Sequence, residues 1–350
     1  MHLSPYLHLG TRALGSNLRR LRRPYKLTLA LTYRCNFRCL ACRTWSRPPA
    51  PEMSLGEIES FFARNPDFSW VDLTGGETTL REDLPEIIAA IASRSRRLLL
   101  LHFPTNGYLV ERVLAAARSA LRAGIPRFIV SVSLDGPPEL HDRLRGVKGA
   151  FARALETFVR LRAAGAESYL GMTLQAENFR RVEETLAAVK REIPRVESSD
   201  LHFNLAHRSF FYNNPGEVSL LPDKPEDLIS SLPRMRGAWR PERFLERRYL
   251  SLSRGYLRTG KCPLPCLALS ASCFIDPSWT LYPCAGYDRR LGNLRQEDFS
   301  LIRLWSAPAV SALQREISAG VCPQCWTPCE AYQTILGNLW PRKGSKGARL

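Results

Sequence analysis

Read for the spacing of its apolar positions, the chain alternates between two periods. "KLTLALTY" (26–33) is a near-continuous apolar run and predicts a buried strand. "SLGEIESFFARN" (54–65) opens with a Ser-x-x-Glu capping box and predicts a helix; "FSWVDLTGG" (68–76) predicts a strand ending in glycines. The alternation continues with helix 84–94, strand 97–107, helix 109–124, strand 127–136, helix 150–165, strand 168–175, helix 181–192 and strand 200–206, two of the helices ending on glycine. Six strands separated by helices predict an α/β fold: a parallel sheet wound right-handedly, open or curled into a partial barrel. Chemistry in such sheets sits at the carboxyl ends of strands. The punctuated ends are Cys35 to Cys42, Gly75-Gly76-Glu77, Thr105-Asn106-Gly107 and Ser133-Leu134-Asp135-Gly136, all expected on one rim.

Residues 207–258, rich in proline, arginine and bulky side chains, read as a connector. A cysteine-rich region follows at 259–336. The expected division is a basic arm (1–25), a core (26–206), the connector, a small α+β domain (259–336) and a basic tail (337–350).

Charge sharpens this division. The formal charge is +17, yet ten bases and no acid precede Glu52, and Arg342, Lys343, Lys346 and Arg349 follow Glu330 without an acid. Residues 52–330 carry only +3. Basic ends suit an anionic surface: lipid headgroups, nucleic acid or an acidic peptide. "LGSNLRRLRRPYK" mixes leucine with arginine as a short interfacial helix does; a solvated basic arm is the plainer reading. No stretch approaches the ~20 apolar residues of a membrane span. The start lacks an export signal's apolar region, so the expected location is cytoplasmic, with contact through residues 1–25 at the inner membrane surface as the variant.

Ten cysteines without an export signal are expected to serve metal or redox chemistry rather than disulfides. Three fall at 35, 39 and 42, none in the next 219 residues, and seven between 262 and 329. Three thiolates suit a soft metal, but a closed zinc site takes four ligands. A [4Fe–4S] cluster held by three leaves one iron open to a small molecule; the competing reading is a zinc knot completed by His102 or a distant cysteine.

Cys-x3-Cys-x2-Cys after the first strand with Gly-Gly-Glu after the second resembles the radical S-adenosylmethionine (SAM) superfamily, over residues 26–206. The resemblance implies a partial (β/α)6 TIM-like barrel and a [4Fe–4S] cluster on Cys35, Cys39 and Cys42. SAM would chelate its open iron and be cleaved reductively to a 5′-deoxyadenosyl radical, which takes hydrogen from substrate. It implies a low-potential electron donor of flavodoxin or ferredoxin type. It also implies SAM contacts at Gly75, Gly76 and Glu77, at Asn106, at Ser131 and Ser133 near the ribose, and at Arg145 for the carboxylate. Gly75 and Gly76 would let backbone approach the ligand, and Glu77 or neighbouring carbonyls would accept from its ammonium. Ala41 departs from the aromatic residue usual before the third cysteine, leaving Phe37 or Trp45 for the adenine.

The later cysteines, Cys262, Cys266, Cys273, Cys284, Cys322, Cys325 and Cys329, resemble the SPASM/twitch domains that hold auxiliary iron–sulfur clusters. "DPSWTLYPC" followed by "LGNL" matches their hairpin, with Trp279 where glycine is usual. The resemblance implies one auxiliary [4Fe–4S] cluster on Cys266, Cys284, Cys322 and Cys325, while a fuller arrangement recruits Cys273 and Cys329 and leaves room for a second. A zinc ribbon is the alternative.

An auxiliary cluster implies net oxidation or radical coupling, of a peptide or of a small molecule by dehydrogenation. A membrane-associated lipid or isoprenoid substrate competes, since the N-terminus does not resemble the winged-helix leader-binding module of many peptide maturases. A zinc-stabilised nucleic-acid binder is the reading from another class; nucleic acid is disfavoured because charge on chain ends is not a groove. No catalytic base is identified. Asp135, Glu177, Tyr282 and Tyr287 are the candidates.

Overall fold

A computed structural model describes residues 3–19, 21–214, 221–222 and 241–340. Most of the expected basic tail and much of the connector lie outside these residues. The six expected strands form at Lys26–Thr32 (β1), Trp70–Gly75 (β2), Leu100–Thr105 (β3), Arg127–Ser133 (β4), Glu167–Leu174 (β5) and Leu201–Leu205 (β6), each parallel to the next. Helices Leu55–Arg64 (α2), Leu84–Arg94 (α3), Val110–Arg122 (α4), Ala150–Ala163 (α6) and Val182–Glu192 (α7) cover the outer face. The expected capping box is present at α2: Ser54 Oγ accepts from Glu57 N, and Glu57 accepts from Ser54 N.

Burial follows the strand period. In β5 and β6, half-exposed residues alternate with buried ones. The buried set, including Leu170, Met172, Leu201 and Phe203, joins the main apolar core, and the other set turns inward.

The cysteine-rich region adds strands Ser272–Ile275 (β7), Thr280–Tyr282 (β8) and Gly292–Asn293 (β9) to the same sheet. β7 runs parallel to β1, pairing Leu27 with Cys273, so the strand order is β6-β5-β4-β3-β2-β1-β7-β8-β9. Helices Leu301–Trp305 (α9), Pro308–Ser318 (α10) and Pro328–Leu336 (α11) complete the region. The region expected as a separate α+β domain is therefore continuous with the barrel's first strand.

Trp279, in the hairpin position where glycine is usual, adopts φ +66°. Its indole is fully buried against Phe61 and Phe299, with ring centroids 5.2 and 5.1 Å away. Burying the ring offsets the strain of a left-handed backbone.

Three further helices depart from the expectation. The residues read as a solvated basic arm form helix Leu3–Leu18 (α1), docked under the barrel: His8 Nδ1 lies 2.7 Å from Ser69 Oγ and Arg97 donates to Ser4 Oγ, both beside strand beginnings. Pro138–Arg145 (α5) is too short to show a period, although Pro138 opens it and Gly146 caps it at φ +70°. Within the expected connector, Pro241–Thr259 (α8) packs against β6 and α11, burying Tyr249.

Candidate active site

At the carboxyl ends of β1 to β6 the curled sheet encloses a cavity of about 390 Å³. Cys35, Cys39 and Cys42 line it, and so do all seven expected SAM contacts, Gly75, Gly76, Glu77, Asn106, Ser131, Ser133 and Arg145.

The cysteine loop is held by backbone on two sides. Gly76 N donates to Thr32 O (2.9 Å) and Glu77 N to Arg34 O (2.8 Å); across the loop, Arg38 N donates to Arg145 O (3.2 Å) and Leu40 N to Leu144 O (3.0 Å). A β-carbon on Gly75 would lie 2.5 Å from Thr32 O, and one on Gly76 2.2 Å from Arg34 O. The approach of the cysteine loop thus by itself requires glycine at both positions. Residues just after β6 form a third brace: Arg43 N donates to Tyr212 O (2.7 Å) and Asn214 Nδ2 to Ala41 O (2.8 Å).

Glu77 also ties strand ends together. Its buried carboxylate accepts from Thr79 N (3.2 Å), Thr79 Oγ1 (2.6 Å), Thr105 Oγ1 (2.8 Å) and Asn106 N (2.7 Å). Burial raises its pKa and these donors oppose the rise. It locks the β2 end to the β3 end. Asn106 Nδ2 donates to Asn36 Oδ1 (2.8 Å), a further tie to the cysteine loop.

Arg145 is paired with Asp135 (Nε to Oδ2, 2.7 Å), and its Nη1 lies 3.9 Å from Cys39 Sγ. Burial pushes the Cys35 thiol up to about 12 and the Cys39 thiol to about 11, while the Arg145 guanidinium pulls the latter down. His102, the candidate zinc ligand, has both ring nitrogens engaged, Nδ1 with Asp72 Oδ1 (3.1 Å) and Nε2 with Ser131 Oγ (3.0 Å). Among the described residues no three His, Cys, Asp or Glu side chains converge on the position of a single metal ion.

Phe37, Ala41 and Trp45 all line the cavity. Trp45 Nε1 and Asn204 Oδ1 are buried without a hydrogen-bond partner, polar atoms that a bound ligand can satisfy. Of the four candidate bases only Asp135 lines the cavity; Glu177 pairs with exposed Arg143, Tyr282 faces Asp276, and Tyr287 packs against the core. The reading missed Tyr169, His202, Asn204, Tyr212 and Tyr332, which also line it. The inward alternation His202-x-Asn204 on β6 and Tyr169-x-Gly171-x-Thr173 on β5 was the available signal.

All ten cysteines are free. In the second group Cys325 feels the charge of Cys262, Cys266 and Cys284, and Cys262 and Cys284 feel that of Cys322; a β-carbon on Gly286 would be 3.8 Å from both Cys284 Sγ and Cys325 Sγ. Burial together with mutual repulsion raises the pKa of Cys266, Cys284 and Cys325. Such thiols ionise together when a cation compensates them, which fits a cluster site.

Two expected ligands stand apart. Cys273 is buried in the apolar core on β7, where pairing with β1 fixes it, and Cys329 lines the barrel cavity. Cys262, left out of the expected ligand set, takes a place in the group. Tyr212 lines the barrel cavity together with Cys42 and Cys329.

The family described as Radical SAM superfamily matches residues 29–189. The chain is 31% identical over 171 residues to Fe-coproporphyrin III synthase of Methanosarcina barkeri, covering 47% of this chain and 41% of that one. It is 26% identical over 323 residues to the mycofactocin maturase MftC of Mycobacterium ulcerans, covering 86% and 80%. The chain thus spans less than half of the first relative and most of the second. The solved structure "Native anSMEcpe with bound AdoMet and Kp18Cys peptide" superimposes with a TM-score of 0.61 at 18% identity, covering 84% of each chain, a likeness of fold.

Proposed function

The chain belongs to the radical SAM superfamily, and from that premise we propose that it oxidises or cross-links a peptide substrate with the help of an auxiliary [4Fe–4S] cluster. The observation that carries the proposal is the convergence of the cysteine loop, the glycine pair and Arg145 on one cavity, which Tyr212 and Cys329 also line. A [4Fe–4S] cluster on Cys35, Cys39 and Cys42 would supply the electron that cleaves SAM to a 5′-deoxyadenosyl radical.

This chain's own residues bind and orient. The carbonyls of Gly75 and Gly76 would accept from the ammonium of SAM, and Arg145 would offer its carboxylate a guanidinium already held by Asp135. Ser133 and Trp45 are available to the nucleoside, whereas Ser131 is shared with His102. The substrate occupies the inward polar stripe of Tyr169, His202 and Asn204, with Tyr332 and Cys329 closing the far wall. The second thiol group, Cys266, Cys284, Cys322 and Cys325 with Cys262 beside them, would hold the cluster that accepts the substrate's electron.

Similarity to a maturase over 86% of the chain supports a peptide substrate. A low-potential flavodoxin or ferredoxin would be the electron source. The test is anaerobic reconstitution with iron and sulfide, followed by reduction with SAM. Two clusters' worth of iron and release of 5′-deoxyadenosine are expected, and Cys39→Ala abolishes the release while keeping the auxiliary cluster's spectrum. Iron loading without any nucleoside release refutes the proposal.

A further inference from the structure

The fold brings the end of α1 against residues 336–339. Asn17, near the end of α1, donates from Nδ2 to Leu336 O (2.8 Å) and accepts at Oδ1 from Leu339 N (2.7 Å). A β-carbon on Gly337 would lie 2.7 Å from Ser16 Oγ. Trp340 therefore emerges beside the carboxyl end of α1, and Arg342, Lys343, Lys346 and Arg349 follow it in sequence.

The inner face of α1, with Pro5, Ala13, Ser16 and Asn17, is buried against the body. Its outer face presents Leu7, Leu14 and Leu18 at helical spacing, 64, 45 and 86% exposed, with Thr11 between them; Trp340 is 56% exposed. This stripe carries no charge, and α1 contains no acid. Exposed Arg19, Arg22 and Arg23 stand just past the helix end, Arg23 reaching Asp67.

We propose that this face docks on an anionic lipid bilayer, the leucine stripe and Trp340 entering the interface while Arg19, Arg22 and Arg23 meet the headgroups. An uncharged leucine stripe on an otherwise docked helix is surface left for a partner. Apolar stripe, interfacial tryptophan and a cluster of bases together match an anionic membrane surface. α1 crosses the beginnings of β2 and β3, at the end of the barrel opposite the cavity rim. A docked molecule keeps its cavity toward water, which suits a dissolved substrate and disfavours a lipid drawn from the same bilayer.

The full-length, iron-loaded protein is floated with vesicles of phosphatidylglycerol and phosphatidylcholine, and with phosphatidylcholine alone, at about 0.1 M salt. Binding is expected to the anionic vesicles only. It weakens about fivefold for each of Arg19→Ala and Arg22→Ala. It weakens about tenfold or more in Leu14→Ser/Leu18→Ser, with melting temperature and iron content unchanged. Absence of binding to anionic vesicles overturns the proposal. So does undiminished binding of the leucine variant, which would reduce the effect to attraction for any polyanion. A dimer that the same leucine changes split, without vesicle binding, would assign the face to a second copy and also overturn it.

Discussion

Gly76 and Arg34 meet so closely that a β-carbon on the glycine would sit 2.2 Å from the Arg34 carbonyl oxygen. Gly76→Ala must push the cysteine loop away from β2. The expected result is loss of iron from the first site with the auxiliary cluster retained, read by iron count and visible spectrum. Gly56, whose β-carbon would meet nothing within 4 Å in α2, is the control. Gly56→Ala should leave iron content unchanged and raise stability by about 0.5–1 kcal/mol.

Trp279 sets packing against backbone strain. Trp279→Ala loses the buried ring and keeps the left-handed backbone, while Trp279→Gly loses the ring and relieves the strain. Both should destabilise, by a few kcal/mol, on the order of 3–5 for alanine. The glycine variant should be the milder by about 1 kcal/mol, the reverse of the usual helix order. Urea denaturation of the two proteins gives the comparison, and alanine proving the milder would contradict it.

Beneath the cavity Lys26 is fully buried, its Nζ 3.0 Å from Asp72 Oδ2 and 3.1 Å from Gln333 Oε1, and donating also to Cys329 O. Lys26 and His102 hold Asp72 well below the usual carboxylate range despite its burial. Asp72→Asn leaves the ammonium uncompensated and should cost about 3–5 kcal/mol. Lys26→Met added to it should restore most of the loss. Equal additive losses in this double-mutant cycle would mean that the pair is not coupled.

Glu246 on α8 accepts from Phe203 N (2.9 Å) and from the Tyr332 hydroxyl, and burial lifts its pKa from 4.5 to about 7. A carboxyl raised in the folded state costs nothing below pH 4.5. It lowers stability progressively as the pH rises from 4.5 toward 7, and the loss levels off above that. Glu246→Gln should therefore melt like the parent near pH 4.5 and higher than it at pH 8. An equal difference at both pH values would show that titration is not the cause.

Cys273 and Cys325 belong to the same cysteine-rich stretch but have opposite surroundings. Cys273→Ala should keep all iron and cost about 1 kcal/mol through a small core cavity. Cys325→Ala should lose the auxiliary cluster. Iron loss in the Cys273 variant would place that thiol among the ligands.

The chain's local patterns carried the six-fold strand and helix alternation, the Ser54–Glu57 cap and the cysteine loop with its Gly-Gly-Glu neighbour. Each of these depends on residues close together in sequence, through side-chain period, turn chemistry or ligand spacing. What the tertiary structure decided lies between residues far apart. Leu27 pairs with Cys273, which turns the second cysteine region into an extension of the barrel and sets that thiol in the apolar core. Lys26 reaches Asp72 and Gln333, Glu77 accepts from Thr105 and Asn106, and Asn17 ties the end of α1 to Leu339. No local spacing encodes such partners, because which buried donor meets which acceptor is set only when the sheet closes and every polar group must find a mate.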